Sequence, residues 1–238
     1  MSSPFIEFLL RADRPLIMEI KRQDAHGHDL LGGRSIAEVV ASYEAAGAPC
    51  VSVVTGRWFG GTEAMLREVV ERTDRPVLQK DFITRREQLH TAARLGASAV
   101  LLTAALLPKS SMHNLIDAAL SAGLTPFVEV TSAAEIDAVA PAEECVIAVN
   151  NKDITTAERG TADVDRSVRL LPALARSGTR CPVSASGIDR PELAAHLLAE
   201  GFAGLLVGTS LLRASDLPAW LAAVDRSRSA ARVAVPPG

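Results

Sequence analysis

The chain has 238 residues, of which 48% are hydrophobic and 22% are charged, a balance that is typical of a folded globular protein and excludes a disordered chain. Its formal net charge of −3 gives no reason to expect nucleic acid or an anionic membrane as a partner. No apolar run reaches the length of about 20 residues that a membrane-spanning helix needs.

The three cysteines, Cys50, Cys145 and Cys181, lie far apart and form no C-x-x-C pair. Each one sits beside an apolar run, which predicts buried free thiols and favours a reducing, cytoplasmic location. The segment Met1–Leu10 lacks the basic region and the long apolar stretch of a secretory signal, and this favours the same location.

Eight short apolar runs alternate with amphipathic segments along the chain. The runs are continuous, which is typical of strands that are buried on both faces of a parallel sheet. In chain order, the predicted strands are Leu16–Ile20, Cys50–Val54, Val77–Gln79, Ala99–Leu102, Pro126–Val130, Val146–Val149, Pro182–Ala185 and Gly204–Val207.

The segments between the runs have the pattern of helices with polar starts and glycine ends. Thr84 with Glu87 three residues later predicts a capping box at the start of one of them. The predicted helices are Ser35–Ala46, Thr62–Glu71, Thr84–Leu95, Ser110–Ala122, a short helix from Ser132, a helix from Asp163 or Asp165, Arg190–Glu200 and Pro218–Arg226.

Eight strand-helix units predict an α/β protein of one domain, a (β/α)8 TIM barrel, with a doubly wound open sheet as the alternative. The expected boundaries are an N-terminal extension at 1–14, the barrel at 15–227 and a disordered tail at 228–238. The long loops 22–34 and 151–163 both follow strands, so in a barrel they lie on the catalytic face, where loop length usually serves binding.

Polar residues lie at the carboxyl ends of the predicted strands, although burial of a strand favours apolar residues there. Glu19 and Lys21 share one face of the first strand because neighbouring side chains alternate. Lys80, Glu129 and Asn150 end or lie in three other strands. Acids and lysines that converge in this way are suited to general acid-base catalysis, although one such pair alone is also compatible with a structural ion pair.

Lysine is rare in this chain, which has Lys21, Lys80, Lys109 and Lys152 and otherwise uses arginine for its basic residues. Arginine stays charged, whereas a lysine can be tuned to give or take a proton. Three of the four lysines fall at predicted strand ends, which strengthens the prediction of a catalytic mouth.

Small residues end the last two strands, with Ser186-Gly187 after the seventh and Gly208-Thr209 after the eighth. In barrels these two loops often present backbone N–H groups and a helix N-terminus to a phosphate. An ordinary tight turn is the alternative for either motif alone. Together the two motifs predict a phosphate site.

Two further loops carry candidate binding groups. Trp58-Phe59 follows the second strand and is expected either to stack on an aromatic substrate or to cap the barrel mouth. His26 and His28 lie in the first long loop, but an H-x-H pair without a cluster of partners does not establish a metal site, and no metal is predicted.

In order along the chain, these motifs resemble the signature of the indole-3-glycerol phosphate synthase family. The resemblance runs from about Pro15 to Arg213. Its elements are Glu19-Ile20-Lys21-Arg22, Ser52-Val53-Val54-Thr55, Phe59-x-Gly61, Lys80-Asp81-Phe82, Val128-Glu129-Val130, Asn150-Asn151-Lys152-Asp153, Ser186-Gly187-Ile188 and Val207-Gly208-Thr209-Ser210-Leu211.

The resemblance implies a lyase that closes an indole ring from a phosphorylated carboxyphenylamino-deoxyribulose, with loss of carbon dioxide and water and without a cofactor. It implies Lys80 as the general acid at the ketone and Glu129 as the acid or base of dehydration. Glu19 would tune these groups, Lys21 would face the substrate's anionic groups, and Asn150 would contact a sugar hydroxyl or the amine. The implied substrate-binding residues are Phe59 and Phe82 for the ring, Ser186, Gly187, Gly208 and Thr209 for the phosphate, and Lys152, where the family usually has arginine.

The chain departs from the family pattern in two more places and has few residues before the first strand. Gln23-Asp24-Ala25-His26 replaces a segment with Ser-Pro-Ser that helps to hold the anthranilate carboxylate in the family, and Ala185 replaces a glutamate. Only about fourteen residues precede Pro15, where the family usually has an extra helical segment that closes over the site.

These departures leave three interpretations of the function. The chain is an ordinary synthase of tryptophan biosynthesis, a specialised paralogue that acts on a modified anthranilate adduct in secondary metabolism, or a non-catalytic barrel that binds a ligand. The intact set of Glu19, Lys21, Lys80 and Glu129 argues against the third. The expected partner is a phosphorylated aromatic small molecule, with no nucleic acid and no membrane, and the sequence sets no oligomeric state.

Overall fold

The computed structural model describes residues 3–152 and 161–233 of the chain, with side chains up to residue 230. Its parallel strands close into a barrel, and because the last strand pairs with the first, the open sheet is excluded and the predicted (β/α)8 barrel is confirmed. The strands are β1 (Leu16–Ile20), β2 (Cys50–Val54), β3 (Val77–Lys80), β4 (Ala99–Thr103), β5 (Thr125–Val130), β6 (Val146–Asn150), β7 (Cys181–Ala185) and β8 (Gly204–Val207).

Helices follow the strands and cover the outside of the barrel, except for the first helix, which precedes β1. Ser35 caps the second helix through the Ser35 and Glu38 capping box, as an N-terminal Ser predicts. The helices are α1 (Pro4–Leu10), α2 (Ile36–Ala45), α3 (Glu63–Val70), α4 (Arg86–Arg94), α5 (Lys109–Ser121), α6 (Ala133–Ile136), α7 (Asp165–Ser177), α8 (Pro191–Ala199), α9 (Thr209–Arg213) and α10 (Leu217–Val233).

The start of α4 differs from the predicted capping box of Thr84 and Glu87. Gln88, and not Glu87, caps the start of this helix. Its Oε1 accepts the backbone N–H groups of Thr84 at 2.9 Å and Arg85 at 3.0 Å. The amide Nε2 of Gln88 also donates to the carbonyl oxygen of Phe82 at 3.0 Å. A group that both accepts and donates suits this turn better than the carboxylate of Glu87.

The helix α1 closes the amino-terminal end of the barrel. Phe5 and Leu9 belong to the apolar cluster that fills the barrel interior, and the Phe5 ring meets the edge of Phe127 at a centroid distance of 6.3 Å. Leu9 packs so closely on Gly204 that a Cβ there would lie 2.7 Å from it. The sequence analysis treats residues 1–14 as an extension. The structure shows that this segment contains a helix, which completes the core at the amino-terminal end of the barrel.

At the other terminus, α10 continues to Val233, beyond the boundary predicted at residue 227. Arg228 donates to the backbone oxygen of Asp13, and Arg14 pairs with Asp225, so this helix is tied to the turn before β1. Residues 234–238 of the predicted tail lie outside the described residues. Within 3–152 and 161–233, every helix is too short or too polar to cross a bilayer.

Candidate active site

Alternation along β1 turns Glu19 toward the barrel axis. Ile17 packs in the interior cluster, whereas Met18 and Ile20 pack in the outer cluster beneath the helices. Glu19 therefore points inward at the carboxyl end of the strand, where it is only 3% exposed. A carboxylate buried to this extent needs cationic partners.

Two lysines supply those partners. Lys21 Nζ lies 3.4 Å from Glu19 Oε1, and Lys80 Nζ lies 3.2 Å from Glu19 Oε2. Burial by itself would raise the pKa of Glu19, but the ammonium groups of Lys80 and Lys21 outweigh it and hold the pKa below its ordinary value. The ionised form thus stabilises the fold above the ordinary carboxyl pKa, and this contribution is lost as the pH falls through the lowered value.

Gly208, directly after β8, makes room for Glu19. A Cβ at position 208 would overlap Glu19 Oε1 and would lie 3.1 Å from its Cδ and 3.2 Å from its Cβ. Gly208 belongs to the predicted phosphate motif, and it also leaves the space in which the Glu19 carboxylate contacts both lysines.

We expect Gly208→Ala to displace the Glu19 carboxylate and to lower kcat by about 10²-fold, the effect of moving a catalytic group by about 1 Å. Glu19→Gln should give a loss of similar size, and thermal unfolding should show that both variants fold. Near-normal kcat in Gly208→Ala would contradict this account of the glycine.

Glu129 and Asn150 form a second pair at the mouth. Asn150 Nδ2 donates to Glu129 Oε1 at 2.9 Å, and its Oδ1 accepts the backbone N–H of Lys152 at 2.9 Å. Asn150 is 1% exposed and lines neither of the two cavities at the mouth, whereas Glu129 lines one of them. Among the contacts described, those of Asn150 orient Glu129 and Lys152.

One cavity at the mouth, of about 350 Å³, is mostly apolar. Trp58 is 72% exposed and meets Phe82 edge to face at 5.2 Å, and Lys21 Nζ lies 5.4 Å from the centre of the Phe59 ring. The lining residues are Glu19, Lys21, Val54, Gly56, Trp58, Phe59, Lys80, Asp81, Phe82, Leu101, Leu106 and Glu129. A planar aromatic ring fits such walls.

The other cavity, of about 980 Å³, is polar. Ser186, Gly187, Gly208 and Thr209 all line it, so the structure brings together the four residues that the sequence predicts for phosphate binding, and Lys152 lines it as well. Glu19, Lys21 and Lys80 line both cavities. The buried ion-pair cluster therefore stands where the apolar and the polar cavity meet.

Ser186 has a positive φ of 70°, the only non-glycine residue with one among the described residues, and Gly187 follows with a φ of 74°. A left-handed serine costs on the order of 1–3 kcal/mol and needs support from its surroundings. Asn151 gives that support, since its Nδ2 donates to the Ser186 oxygen at 3.0 Å and to Ser184 Oγ at 3.1 Å. Ser167 completes the buried network by donating to Asn151 Oδ1 at 2.8 Å.

The first long loop borders the polar cavity rather than the apolar one. Asp24, Ala25 and His26 line the same cavity as Gly187 and Gly208. The altered segment therefore adjoins the predicted phosphate end of the mouth.

The carboxylate of Asp24 is occupied by contacts within the protein. It accepts the backbone N–H groups of His26 and His28, and it pairs with His28 Nδ1 at 3.0 Å and with Arg213 Nη2 at 2.7 Å. Among residues 3–152 and 161–233, no three His, Cys, Asp or Glu residues come close enough to hold a metal ion.

Sequence reasoning missed several lining residues. Asp81 faces the apolar cavity, where its Oδ2 accepts the Thr55 hydroxyl at 2.7 Å and its Oδ1 accepts the Phe82 N–H at 2.8 Å. The sequence could have indicated Asp81, because it lies next to Lys80 at the polar end of a predicted strand. Leu101, Leu106 and Arg213 also line the cavities, but they carried no signal because apolar strand residues and surface arginines are common throughout the chain.

The predicted role of the second long loop in binding can be compared with the structure for only part of its length. Thr161, Ala162 and Asp163 line the polar cavity, as expected for a binding loop on this face. Residues 153–160 lie outside the described residues.

Comparison with known proteins identifies the family. The profile of the indole-3-glycerol phosphate synthase family matches residues 3–224. The indole-3-glycerol phosphate synthase of Pyrococcus furiosus is 36% identical over 203 residues, covering 85% of this chain and 87% of that protein. Indole-3-glycerol phosphate synthase 1 of Streptomyces coelicolor is 37% identical over 202 residues, covering 84% and 73%.

Among solved structures, 3-hexulose-6-phosphate synthase from Salmonella typhimurium superposes with a TM-score of 0.69 at 15% identity, covering 90% of this chain and 98% of that one. That likeness concerns the barrel fold alone. The family profile spans nearly the whole chain, and the named relatives are more than one-third identical over most of their length. The chain therefore belongs to the indole-3-glycerol phosphate synthase family.

Proposed function

We propose that this protein is an indole-3-glycerol phosphate synthase, a carbon-carbon lyase that closes an indole ring from a phosphorylated carboxyphenylamino-deoxyribulose. The observation that carries the proposal is the Glu19, Lys21 and Lys80 cluster at the junction of an apolar and a polar cavity. The substrate has the same division, with an aromatic ring at one end, a phosphate at the other and the reacting ketone between them.

In this arrangement the ring lies between Trp58, Phe59 and Phe82, and the phosphate lies against the loops of Gly187 and Gly208. The ketone carbon then comes next to the cluster that lines both cavities. Holding both ends of the substrate brings the ring carbon that carries the carboxylate close to the ketone, and this positioning lowers the entropic cost of ring closure.

Lys80 is the general acid of ring closure in this proposal. It donates a proton to the ketone oxygen while the ring carbon forms the new carbon-carbon bond, and loss of carbon dioxide returns the bonding electrons to the ring. Glu19 holds the ammonium of Lys80 in position from 3.2 Å. Lys21 stabilises the substrate's anionic groups, and Lys152 adds a second cation on the polar side.

Glu129 serves the second stage, in which the new hydroxyl leaves as water and a proton leaves the neighbouring carbon. Its Oε1 is held by Asn150, which makes Asn150 a positioning residue. Ring closure, decarboxylation and dehydration involve no net oxidation or reduction, so the proposal needs no cofactor. The three buried free thiols favour a reducing cytoplasm as the location.

Turnover of the carboxyphenylamino-deoxyribulose phosphate tests the proposal. We expect formation of the indole chromophore together with equimolar carbon dioxide, at a kcat/KM in the range of about 10⁴–10⁸ M⁻¹s⁻¹ that is common for enzymes. Adducts of substituted anthranilates should be assayed beside it. Turnover of only a substituted adduct would favour a specialised paralogue, and turnover of none would favour a binding protein.

Phosphate binding can be tested without turnover. Gly187 and Gly208 line the polar cavity in the loops after β7 and β8. Since such loops often bind phosphate through backbone N–H groups, titration with inorganic phosphate should shift the amide NMR signals of Gly187 and Gly208. The signals of Gly47 and Gly123, which end helices away from this cavity, should stay in place. Unchanged signals of Gly187 and Gly208 at millimolar phosphate would contradict the phosphate end of the proposal.

A further inference from the structure

Three buried polar side chains lie next to the loop that follows β7. Val183 and Ala185 pack in the interior cluster, so alternation along β7 turns Ser184 outward, toward the helices. There it meets Ser167 of α7 and Asn151, which follows β6. All three side chains are 0% exposed, and they line neither cavity at the mouth. They therefore lie behind the wall of the polar cavity and not in it.

The direction of each hydrogen bond in this cluster follows from the groups that can only accept. The carbonyl oxygen of Ser186 is one of them, so Asn151 must present its Nδ2 to it, at 3.0 Å. The second hydrogen of Nδ2 goes to Ser184 Oγ at 3.1 Å. Asn151 Oδ1 accepts from Ser167 at 2.8 Å, which leaves the proton of Ser184 to bond Ser167 Oγ at 2.7 Å. The three side chains thus form a closed ring that uses each of their amide and hydroxyl protons, and such rings are cooperative.

The segment that the ring holds is fixed at its other end as well. Ser210 Oγ donates to the carbonyl oxygen of Ile188 at 2.7 Å. Between the two held carbonyl groups lies Gly187, which packs so closely on Ala162 that a Cβ there would overlap the Cβ of Ala162. The turn that begins at Ser186 is therefore held from three sides.

The conformation of this turn is costly, and it bears on the polar cavity. Ser186 and Gly187 have φ of 70° and 74°, and only glycine takes such values without strain. Gly187 and Ile188 line the polar cavity, and none of the described residues accepts their backbone N–H groups. The placement of two unused donors beside the cavity thus depends on side chains outside it.

We propose that Asn151 is a positioning residue for phosphate binding, because the ring that it closes keeps Ser186 and Gly187 in the left-handed conformation. The proposal rests on the proposed function, since it assigns the polar cavity to the substrate phosphate. A phosphate that meets a preformed turn does not have to order it. Loss of the ring therefore lowers affinity without removing any residue from the cavity wall.

The direct test is calorimetric titration of the wild type, Asn151→Ala and Ser167→Ala with inorganic phosphate. Ser167→Ala opens the ring from α7 and leaves both loops unchanged, so it serves if Asn151→Ala does not fold. Thr125→Val is the matched control, because it removes a buried hydroxyl that bonds Ser3 at the amino-terminal end of the barrel. Thermal unfolding compares the stability of all these proteins.

We expect Asn151→Ala to bind phosphate about tenfold more weakly than the wild type. Ser167→Ala should bind about threefold more weakly, since it removes only part of the ring. Thr125→Val should bind like the wild type. In ligand-free Asn151→Ala, the backbone chemical shifts of Ser186 should move as its φ leaves the left-handed region.

Steady-state kinetics give a second reading. With the phosphorylated adduct, Asn151→Ala should raise KM by a larger factor than it lowers kcat, as expected for a loss of uniform binding. The reason is that Asn150 keeps its own contacts with Glu129 and with the backbone of Lys152, so the proton-transfer groups stay in place.

Ser186→Gly separates positioning from a general loss of stability. Glycine adopts a positive φ without strain, so the ring should matter less in this background. There, Asn151→Ala should weaken phosphate binding by only about twofold. The contribution of the Ser186 hydroxyl cancels, because both proteins in this comparison lack it.

Unchanged phosphate affinity in Asn151→Ala and Ser167→Ala would overturn the inference and leave the proposed function in place. An equal loss in Thr125→Val would also overturn it, because the loss would then follow from stability alone. A tenfold loss in both backgrounds at position 186 would show that Asn151 does not act through the left-handed turn. No binding of phosphate by the wild type would contradict the proposed function itself, and the inference would fail with it.

Discussion

Lys80→Met is expected to remove almost all turnover while the barrel stays folded. Methionine keeps the length of the side chain but has no proton to give, and general acid-base catalysis is worth about 10²–10⁴-fold in rate. Glu19 still has Lys21 at 3.4 Å in this variant, so its buried charge keeps one partner. Steady-state kcat on the phosphorylated adduct, together with thermal unfolding, measures both parts of the prediction.

Lys109→Met is the control for this variant. Lys109 is exposed at the start of α5 and lines neither cavity at the mouth, so its loss should leave kcat unchanged. If Lys80→Met kept near-normal kcat in a folded protein, the general acid would have to be another group, and the mechanism proposed for ring closure would be wrong.

Glu129→Gln is expected to lower kcat by a comparable factor of about 10²–10⁴. Its amide oxygen still accepts the hydrogen bond from Asn150, so the geometry of the mouth is preserved, but the group no longer exchanges a proton during dehydration. If dehydration is the affected stage, the decarboxylated intermediate should accumulate in a single-turnover experiment.

A matched exchange of Glu143 tests whether the loss depends on position. Glu143 is exposed, and it precedes β6 at the opposite end of the barrel. Glu143→Gln should therefore retain full activity. Release of carbon dioxide by Glu129→Gln at the wild-type rate, with normal formation of the indole, would show that Glu129 has no part in proton transfer.

The barrel could be predicted because its elements are encoded locally. Continuous apolar runs such as Cys50–Val54 indicate doubly buried strands, and capped amphipathic segments such as 36–45 indicate the helices between them. Parallel strands that follow one another bring their carboxyl ends to one rim, so Glu19, Lys80 and Glu129 could be assigned to a common mouth.

Other features of the site could not be predicted because they depend on distances between atoms. The resemblance implies that Asn150 contacts the substrate, and only the structure shows that its side chain also holds Glu129 and the backbone N–H of Lys152. The resemblance relates the altered first loop to the substrate carboxylate, and only the structure shows that Asp24 lines the polar cavity. A loop's position above a barrel depends on how its whole length packs, and no short pattern of residues specifies that.

By itself, the sequence determined the fold class, the family resemblance and the rim on which the charged residues gather, since each follows from residues close together in the chain. The tertiary structure alone decided that Gly208 makes room for Glu19 and that Asp24 pairs with Arg213, a residue 189 positions away. Closure of the barrel brings β8 beside β1 and so creates both contacts. Their energies depend on close approach and burial, which arise only when the chain is folded.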